Sequence, residues 1–395
     1  MTISLDDGFA EKVFNITTIA DDLFKYILEE SVNLGYRDIY LAYDDYIRVR
    51  KDNFRLIASN RKLTTDEVRM LGVQLSSENE VSLTQAGFES GGRFTMSRSD
   101  NENELMHCRY SMHQISDNGQ SGLDIAIRPI KDKAPHHEEI GIPEELLTLV
   151  RKIPQGLILM IGSTGTGKTS TLASLIRYIL EQPSHMRILE FARPPEFSFN
   201  NIEMHPSNTI KHSEIAANSS TGGDLKTYEL ANALTMRKAA DWITIGEMTE
   251  KESFKSALSL SNTGHRVSST THANDVAGVF PRVYQMFDAD EREYQLFSLI
   301  NEGQLFCAQQ LLDRKGGGLI AVREILIVDQ EARSRLLAAK NIQQVHRITS
   351  LILSERKASF RAQGMQLLAD GLITRETYDD FVDFLPLDHQ MECVN

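Results

Sequence analysis

One short stretch of this chain has the residue types and spacing to hold a polyphosphate. Gly162, Ser163, Thr164, Gly165, Thr166, Gly167, Lys168 and Thr169 match G-x-x-x-x-G-K-[ST], and Ser170 follows directly. Glycines let a backbone turn tightly enough for consecutive N–H groups to converge on phosphate oxygens. A helix starting at the end of such a loop adds about half a positive charge at the same place. Lys168 is expected to reach the β- and γ-phosphates, and the Thr169 hydroxyl to ligate Mg²⁺. A second candidate, Glu247, ends the run Asp241-Trp-Ile-Thr-Ile-Gly. A carboxylate at the carboxyl end of a strand can orient and deprotonate a water that attacks the γ-phosphate. Further along, His265 and His272 flank a short β-like run. Taken alone, a histidine in such a loop is more often structural than catalytic.

Several elements must position these groups. Residues 156–161 (GLILMI) are wholly apolar, as expected of a strand covered on both faces. Beyond the loop, Leu172, Leu175, Ile176, Ile179 and Leu180 make an amphipathic helical stripe over residues 168–182. The loop therefore sits between a strand and a helix, the context its chemistry requires. Residues 241–245, 267–271 and 325–328 read as further strands, and their alternation with helices points to a parallel sheet. Residues 203–225 are polar and read as a long mobile connection, while residues 330–386 read as helices. In the N-terminal part we expect helices at 21–34 and 65–75, the second opened by Thr64 with Glu67 behind it. Strands are expected there at 38–49, 94–112 and 123–129. Residues 131–141, polar and containing Pro135, read as a linker.

Composition narrows the function. The chain has 395 residues, 41% hydrophobic and 25% charged, so two or three ordinary globular domains are expected. Its net charge of −13 argues against a surface that coats nucleic acid, so no direct nucleic-acid binding is expected. The three cysteines, Cys108, Cys307 and Cys393, are too scattered for a disulfide framework or a zinc site and suit a reducing cytoplasm. The N-terminus lacks a signal-peptide pattern, and no apolar run approaches the ~20 residues of a transmembrane helix.

The motif set as a whole resembles the secretion-motor ATPases of type IV pili, type II secretion and type IV secretion, and is similar in wording to their PilT-like branch. The phosphate loop is followed by Gly246-Glu247-Met248, like that family's Walker B strand, and by residues 263–272, like its TGHxxxxTxH histidine box. Further likenesses are residues 141–146, Pro194-Pro195-Glu196-Phe197, Ala308-Gln309 with Arg314, and residues 365–374. In the N-terminal half, residues 38–41 and 47–50 look like two more of its segments. Residues 116–122 look like the DotB/TraJ branch, which serves type IVB secretion and plasmid conjugation.

The resemblance implies an α/β chain: a PAS-like N-terminal α/β domain (1–130), a linker (131–143), a RecA-like P-loop core (144–330) and a C-terminal helical region (331–395). It implies ATP as substrate, Mg²⁺ as cofactor and a homo-hexameric ring. The protein would be cytoplasmic and peripheral to the inner membrane, acting with inner-membrane components of a secretion or transfer apparatus. Catalytic roles are implied for His265 and His272, and for Arg109 and Arg128 of the N-terminal domain at the nucleotide. The leading expectation is a type IVB-like secretion or conjugation motor. Alternatives are a pilus assembly or retraction ATPase, or an ATP-binding assembly factor that hydrolyses weakly. Two departures from the family pattern bear on this. Ala192-Arg193 stands where the family's Asp box carries an acidic pair, with Glu190 a candidate substitute on the strand beside the phosphate-loop strand. Thr249-Glu250 stands where Arg-Asp is usual.

Overall fold

A computed structural model describes residues 8–385 except 18–20, 52–53, 89, 100–104, 118, 131–132, 194 and 217–222. The N-terminal residues, the start of the linker, Pro194, the Ser219–Thr221 part of the polar connection and Cys393 thus lie outside the described residues. The chain divides into two compact units. One comprises residues 1–132, 193–198 and 214–226; the other comprises 133–192, 199–213 and 227–395.

The first unit is β-rich. Its elements are β1 (Phe9–Phe14), α1 (Asp21–Asn33), β2 (Asp38–Ala42), β3 (Tyr46–Lys51), β4 (Phe54–Lys62), α2 (Thr65–Leu75), α3 (Glu78–Gln85), β5 (Ser90–Ser97), β6 (Leu105–Asp117) and β7 (Gln120–Pro129). They form a seven-stranded sheet in the order β1-β4-β3-β2-β7-β6-β5. Only the β1–β4 pairing is parallel. Alternate residues such as Ile39 and Leu41 on β2, Ile47 and Val49 on β3, and Ile125 and Ile127 on β7 face a common core with Leu28, Val68 and Leu71 of the helices. Helix α2 starts as expected: the Thr64 hydroxyl accepts from the Glu67 amide, and the Glu67 carboxylate accepts from the Thr64 amide. The expected strand over 38–49 is instead a β2–β3 hairpin. Its turn holds Asp44 at φ 54, a conformation that Asp tolerates better than the flanking aromatic and β-branched residues.

The second unit is a RecA-like α/β core with C-terminal helices. It runs through α4 (Glu144–Lys152), β8 (Gly156–Ile161), α5 (Lys168–Glu181), β9 (Arg187–Ala192), β10 (Thr209–Glu214, whose last residue clusters with the first unit) and α6 (Tyr228–Thr235). It continues through β11 (Trp242–Glu247), α7 (Lys251–Asn262), β12 (Arg266–Thr271), α8 (Val276–Met286), α9 (Arg292–Glu302), β13 (Gly303–Asp313) and β14 (Leu319–Ile327). The tail is α10 (Gln330–Leu337), α11 (Ile342–Glu355), α12 (Phe360–Ala369) and α13 (Arg375–Asp383). The strand order is β10-β9-β11-β12-β8-β13-β14. β9, β11, β12, β8 and β13 run parallel, and β14 returns antiparallel. The polar connection expected over 203–225 contains the edge strand β10, which periodicity alone did not reveal because its residues are only partly buried.

Strand β12 (RVSSTT) is buried along its whole length although four of its six residues carry hydroxyls. Three of these hydroxyls have partners on or just past the neighbouring strand, and Ser269 bonds within β12. Ser268 accepts from the Trp242 indole N–H at 2.8 Å, Thr270 donates to the Gly246 carbonyl at 3.1 Å, and Thr271 donates to the Met248 carbonyl at 2.8 Å. Burial of satisfied polar groups costs little, and these bonds also fix β11 against β12. A buried carboxylate ties down the tail in a similar way. Glu324 on β14 accepts the Val276 amide at 2.9 Å and the Phe360 amide at 3.0 Å, the first N–H groups of α8 and α12. Each amide is an otherwise orphaned helix donor at the positive end of a helix. Glu324→Gln retains the shape but only one acceptor oxygen, so we expect a loss of about 2 kcal/mol in stability by urea unfolding. An unchanged midpoint would show that the carboxylate does not carry this junction.

Candidate nucleotide site

The candidate groups meet at the carboxyl edge of the second unit's sheet. β8 ends at Ile161, level with Thr271 of β12 and Ala308 of β13. The chain leaves β8 through Gly162, whose amide donates to the Thr271 carbonyl at 3.3 Å. A Cβ at Gly162 would come within 2.6 Å of the Gln309 carbonyl oxygen, so only glycine passes here. Gly167 caps α5 at φ 83, the left-handed region that favours glycine, and points the first amides of α5 into the turn. Lys168 is the first residue of α5 and is nearly buried. Its ammonium donates to the Ser163 carbonyl at 3.0 Å and lies 3.4 Å from His272 Nδ1.

His272 follows the last residue of β12, and its Nε2 lies 2.9 Å from the Glu247 carboxylate at the end of β11. The ammonium can only donate, so Nδ1 accepts and Nε2, on the side of the Glu247 carboxylate, carries the ring hydrogen. Lys168, His272 and Glu247 thus form one contiguous cluster at the ends of three parallel strands, joined by a Lys168–His272 hydrogen bond and a close His272–Glu247 contact. The strand ends are clamped beneath it by the Met248 amide, which donates to the Thr270 carbonyl at 2.7 Å. Glu247 itself is half-exposed, as a base that must meet a water should be.

Residues from β13 and β14 complete the loop's support, and Gln309 is the one that sequence reasoning missed. Known only as part of a family-like segment, it is buried behind the loop. Its Nε2 donates to the Thr166 carbonyl at 2.6 Å, and its Oε1 accepts from the Thr171 hydroxyl at 2.9 Å and from Arg323 Nε at 2.8 Å. Arg323, also buried, donates onward to the linker carbonyls of Gly141 at 2.8 Å and Ile140 at 3.2 Å. The available signal was a polar residue next to the apolar run Leu305–Ala308, and a single sequence does not say which partner such a residue has.

Two expectations change. Glu190 does not lie beside the phosphate-loop strand: β9 is separated from β8 by β11 and β12. It is opposite Thr244, in register with Ser268 and then Ile158, so it sits about 10 Å short of the loop edge and about 14 Å away across the sheet. Its carboxylate pairs with the His212 ring on β10. Glu190 is therefore no substitute for the missing acids. Ala192, where an acid is usual, packs against Gly246 just before Glu247, so the departure removes a carboxylate from beside the candidate base. His265 lies at the opposite, amino edge, where its carbonyl accepts the Gly156 amide at 3.0 Å. Six extended residues, about 20 Å, separate it from His272, and its ring bonds to the adjacent Thr263 hydroxyl at 2.9 Å. It takes no part in its own chain's loop site.

Within the first unit, Arg109 pairs with Glu196 at 3.0 Å and Arg128 with the buried Asp38. Each arginine holds its carboxylate through one nitrogen, Nη1 of Arg109 and Nε of Arg128. The register adds a residue that the sequence alone did not single out: Arg93 on β5, Arg109 on β6 and Arg128 on β7 lie directly opposite one another. Like charges so placed repel, a cost that an anion would relieve.

A family model described as "Type II/IV secretion system protein" matches residues 18–316. This chain belongs to the type II/IV secretion system protein family. It is 31% identical over 260 residues to the type IV pilus retraction ATPase PilT of Pseudomonas aeruginosa, covering 66% of this chain and 72% of that protein. The crystal structure of the ATPase DotB of Legionella pneumophila superposes with a TM-score of 0.80 at 22% identity, over 94% of this chain and 99% of that one. A structure of the pilus retraction motor PilT with bound ADP gives 0.71 at 25% identity, over 90% and 96%. The chain is thus a P-loop ATPase by fold and family. Among the described residues, no helix is long and apolar enough to cross a membrane.

Gln309→Leu would keep the side-chain volume while leaving the Thr171 hydroxyl and Arg323 Nε without their buried acceptor. We expect a stability loss of about 3 kcal/mol in urea, together with weaker nucleotide binding, because the loop loses its rear support. Parent-like values in both measurements would exclude Gln309 as the clamp of the loop.

Proposed function

We propose that this protein is a Mg²⁺-dependent ATPase that powers a pilus or secretion machine, and that its role is nearer to pilus retraction than to type IVB secretion or conjugation. The observation that carries the first part is the Lys168–His272–Glu247 cluster beside a helix-capping glycine loop. The loop amides and Lys168 bind the phosphates. Thr169, in the first turn of α5, offers the hydroxyl that suits Mg²⁺. Bound there, Mg²⁺ supplies charge neutralisation at the β- and γ-phosphates. Glu247 accepts the proton of the water whose oxygen attacks the γ-phosphorus, and ADP leaves. His272 links that base to the lysine that senses the phosphate.

The pilus reading is supported by the likeness to PilT, which spans two thirds of this chain. The likeness to DotB, at 22% identity, supports the fold alone. The 116–122 stretch carries little weight for the type IVB branch. It is the tip of the β6–β7 hairpin, with Gly119 at φ 78, and any tight hairpin needs a residue of that kind. As further parts of this proposal, the chain works as a homo-hexamer with inner-membrane partners at the cytoplasmic face, its N-terminal unit is PAS-like, and the Arg93–Arg109–Arg128 row meets a γ-phosphate. The loss of an acid at Ala192 favours slow turnover over none, since Glu247 and His272 are intact.

Lys168→Ala should weaken ATP binding about 100-fold, since a charge-assisted contact is lost. Glu247→Gln should bind ATP like the parent but turn it over at least about 100-fold more slowly, because the amide cannot accept the water's proton. Binding measured by calorimetry, beside a phosphate-release assay, separates the two. Unchanged turnover in Glu247→Gln would remove it as the base.

A further inference from the structure

The sheet order decides which way a nucleotide lies on the loop. Glu247 ends β11 and His272 follows β12, both on one side of β8, so the γ-phosphate end faces that side. The base must leave the loop on the other side, over β13. β13 runs parallel to β8 but continues past Ala308, its last partner there, through Gln309 to Asp313. It therefore rises beyond the loop as a wall.

A cleft of about 590 Å³ opens at this place. It is lined by the outer loop residues Ser163 to Thr166, by Gln310 and Leu311 of β13, by Asn274 at the β12 side, and by Phe384 and Leu385 just after α13. Its volume falls in the range that holds a small ligand. Leu385 is buried, but the adjacent Phe384 is 91% exposed, the most exposed large apolar side chain among the described residues. Its position is not arbitrary. Helix α13 packs on β13, and the β13–β14 turn is tied to the segment before α13 by the Lys315 amide, which donates to the Leu372 carbonyl at 2.9 Å. The fold thus holds an uncovered aromatic ring at the lip of a phosphate-binding cleft, on the side where a base must lie. An aromatic ring there offers a π-face to a base and needs no match to its edge.

We propose that Phe384 is the base-stacking wall of the nucleotide cleft, with Leu311 lining the same subsite, so that the C-terminal helical segment forms part of the ATP site. This rests on the ATP reading given above. Stacking reads ring area, so purine nucleotides bind better than pyrimidine nucleotides, and nucleotide occupancy is coupled to the position of α13.

The test uses the full chain with ATP and with inorganic tripolyphosphate, which carries the phosphates without the base. Phe384→Ala should weaken ATP about tenfold and leave tripolyphosphate within about twofold. Phe384→Trp should be quenched by ATP and not by tripolyphosphate, since the native Trp242 is buried in the sheet. Parent-like ATP affinity in Phe384→Ala, or equal loss of both ligands, overturns the proposal. Lys168→Ala, run in parallel, separates the two levels. If it loses both ligands while Phe384→Ala loses neither, the base wall alone fails. If the parent binds neither ligand, the ATP reading fails and the base wall with it.

Discussion

The shared register of four parallel strands is the constraint on which the rest of this structure depends. β8, β11, β12 and β13 end within a residue or two of one another, or run past the same edge. A parallel sheet delivers every strand's carboxyl end to the same side, so residues far apart in sequence arrive together. Gly162, Glu247, His272 and Gln309 span nearly 150 positions and meet because each leaves or passes that edge. The same rule sends His265 to the other edge, since it enters the strand that His272 leaves.

Holding such an edge in place requires buried polar groups, each of them satisfied. The Ser268, Thr270 and Thr271 hydroxyls of β12, the Gln309–Arg323 pair and the Glu324 carboxylate are buried, and each has partners on another element or segment. Burial holds the Arg323 guanidinium below its usual basicity, and its contacts run to carbonyls and to Gln309. These bonds make a continuous path from the linker carbonyls at 140 and 141, through Arg323 and Gln309, to the loop carbonyl at 166.

Much of this was legible in the sequence, for physical reasons that differ by residue. The wholly apolar run 156–161 and the leucine–isoleucine stripe after Lys168 announced a buried strand and its helix, because burial on two faces or one leaves different periodicities. The cap at Thr64 was legible because its partner lies three residues away. Glu190 misled because strand order is set by tertiary pairing: a strand following a β–α unit more often neighbours its predecessor, whereas β9 lies three places from β8. The break at 43–45 was hidden by aromatic and β-branched residues on both sides of the turn. Gln309 and Arg323 escaped because a buried polar residue has meaning only through its partner, here 14 positions away on a hairpin. The arginine row became visible only with strand register.

The most direct test of the account is a structure of the full chain with Mg²⁺ and a non-hydrolysable ATP analogue. Lys168 should leave the Ser163 carbonyl for the β- and γ-phosphates, Thr169 should ligate the ion, and Glu247 should hold a water in line with the γ-phosphorus, still bonded to His272. An analogue bound away from residues 162–170, or a Glu247 carboxylate turned from the γ-phosphate with His272 unpaired, would contradict it.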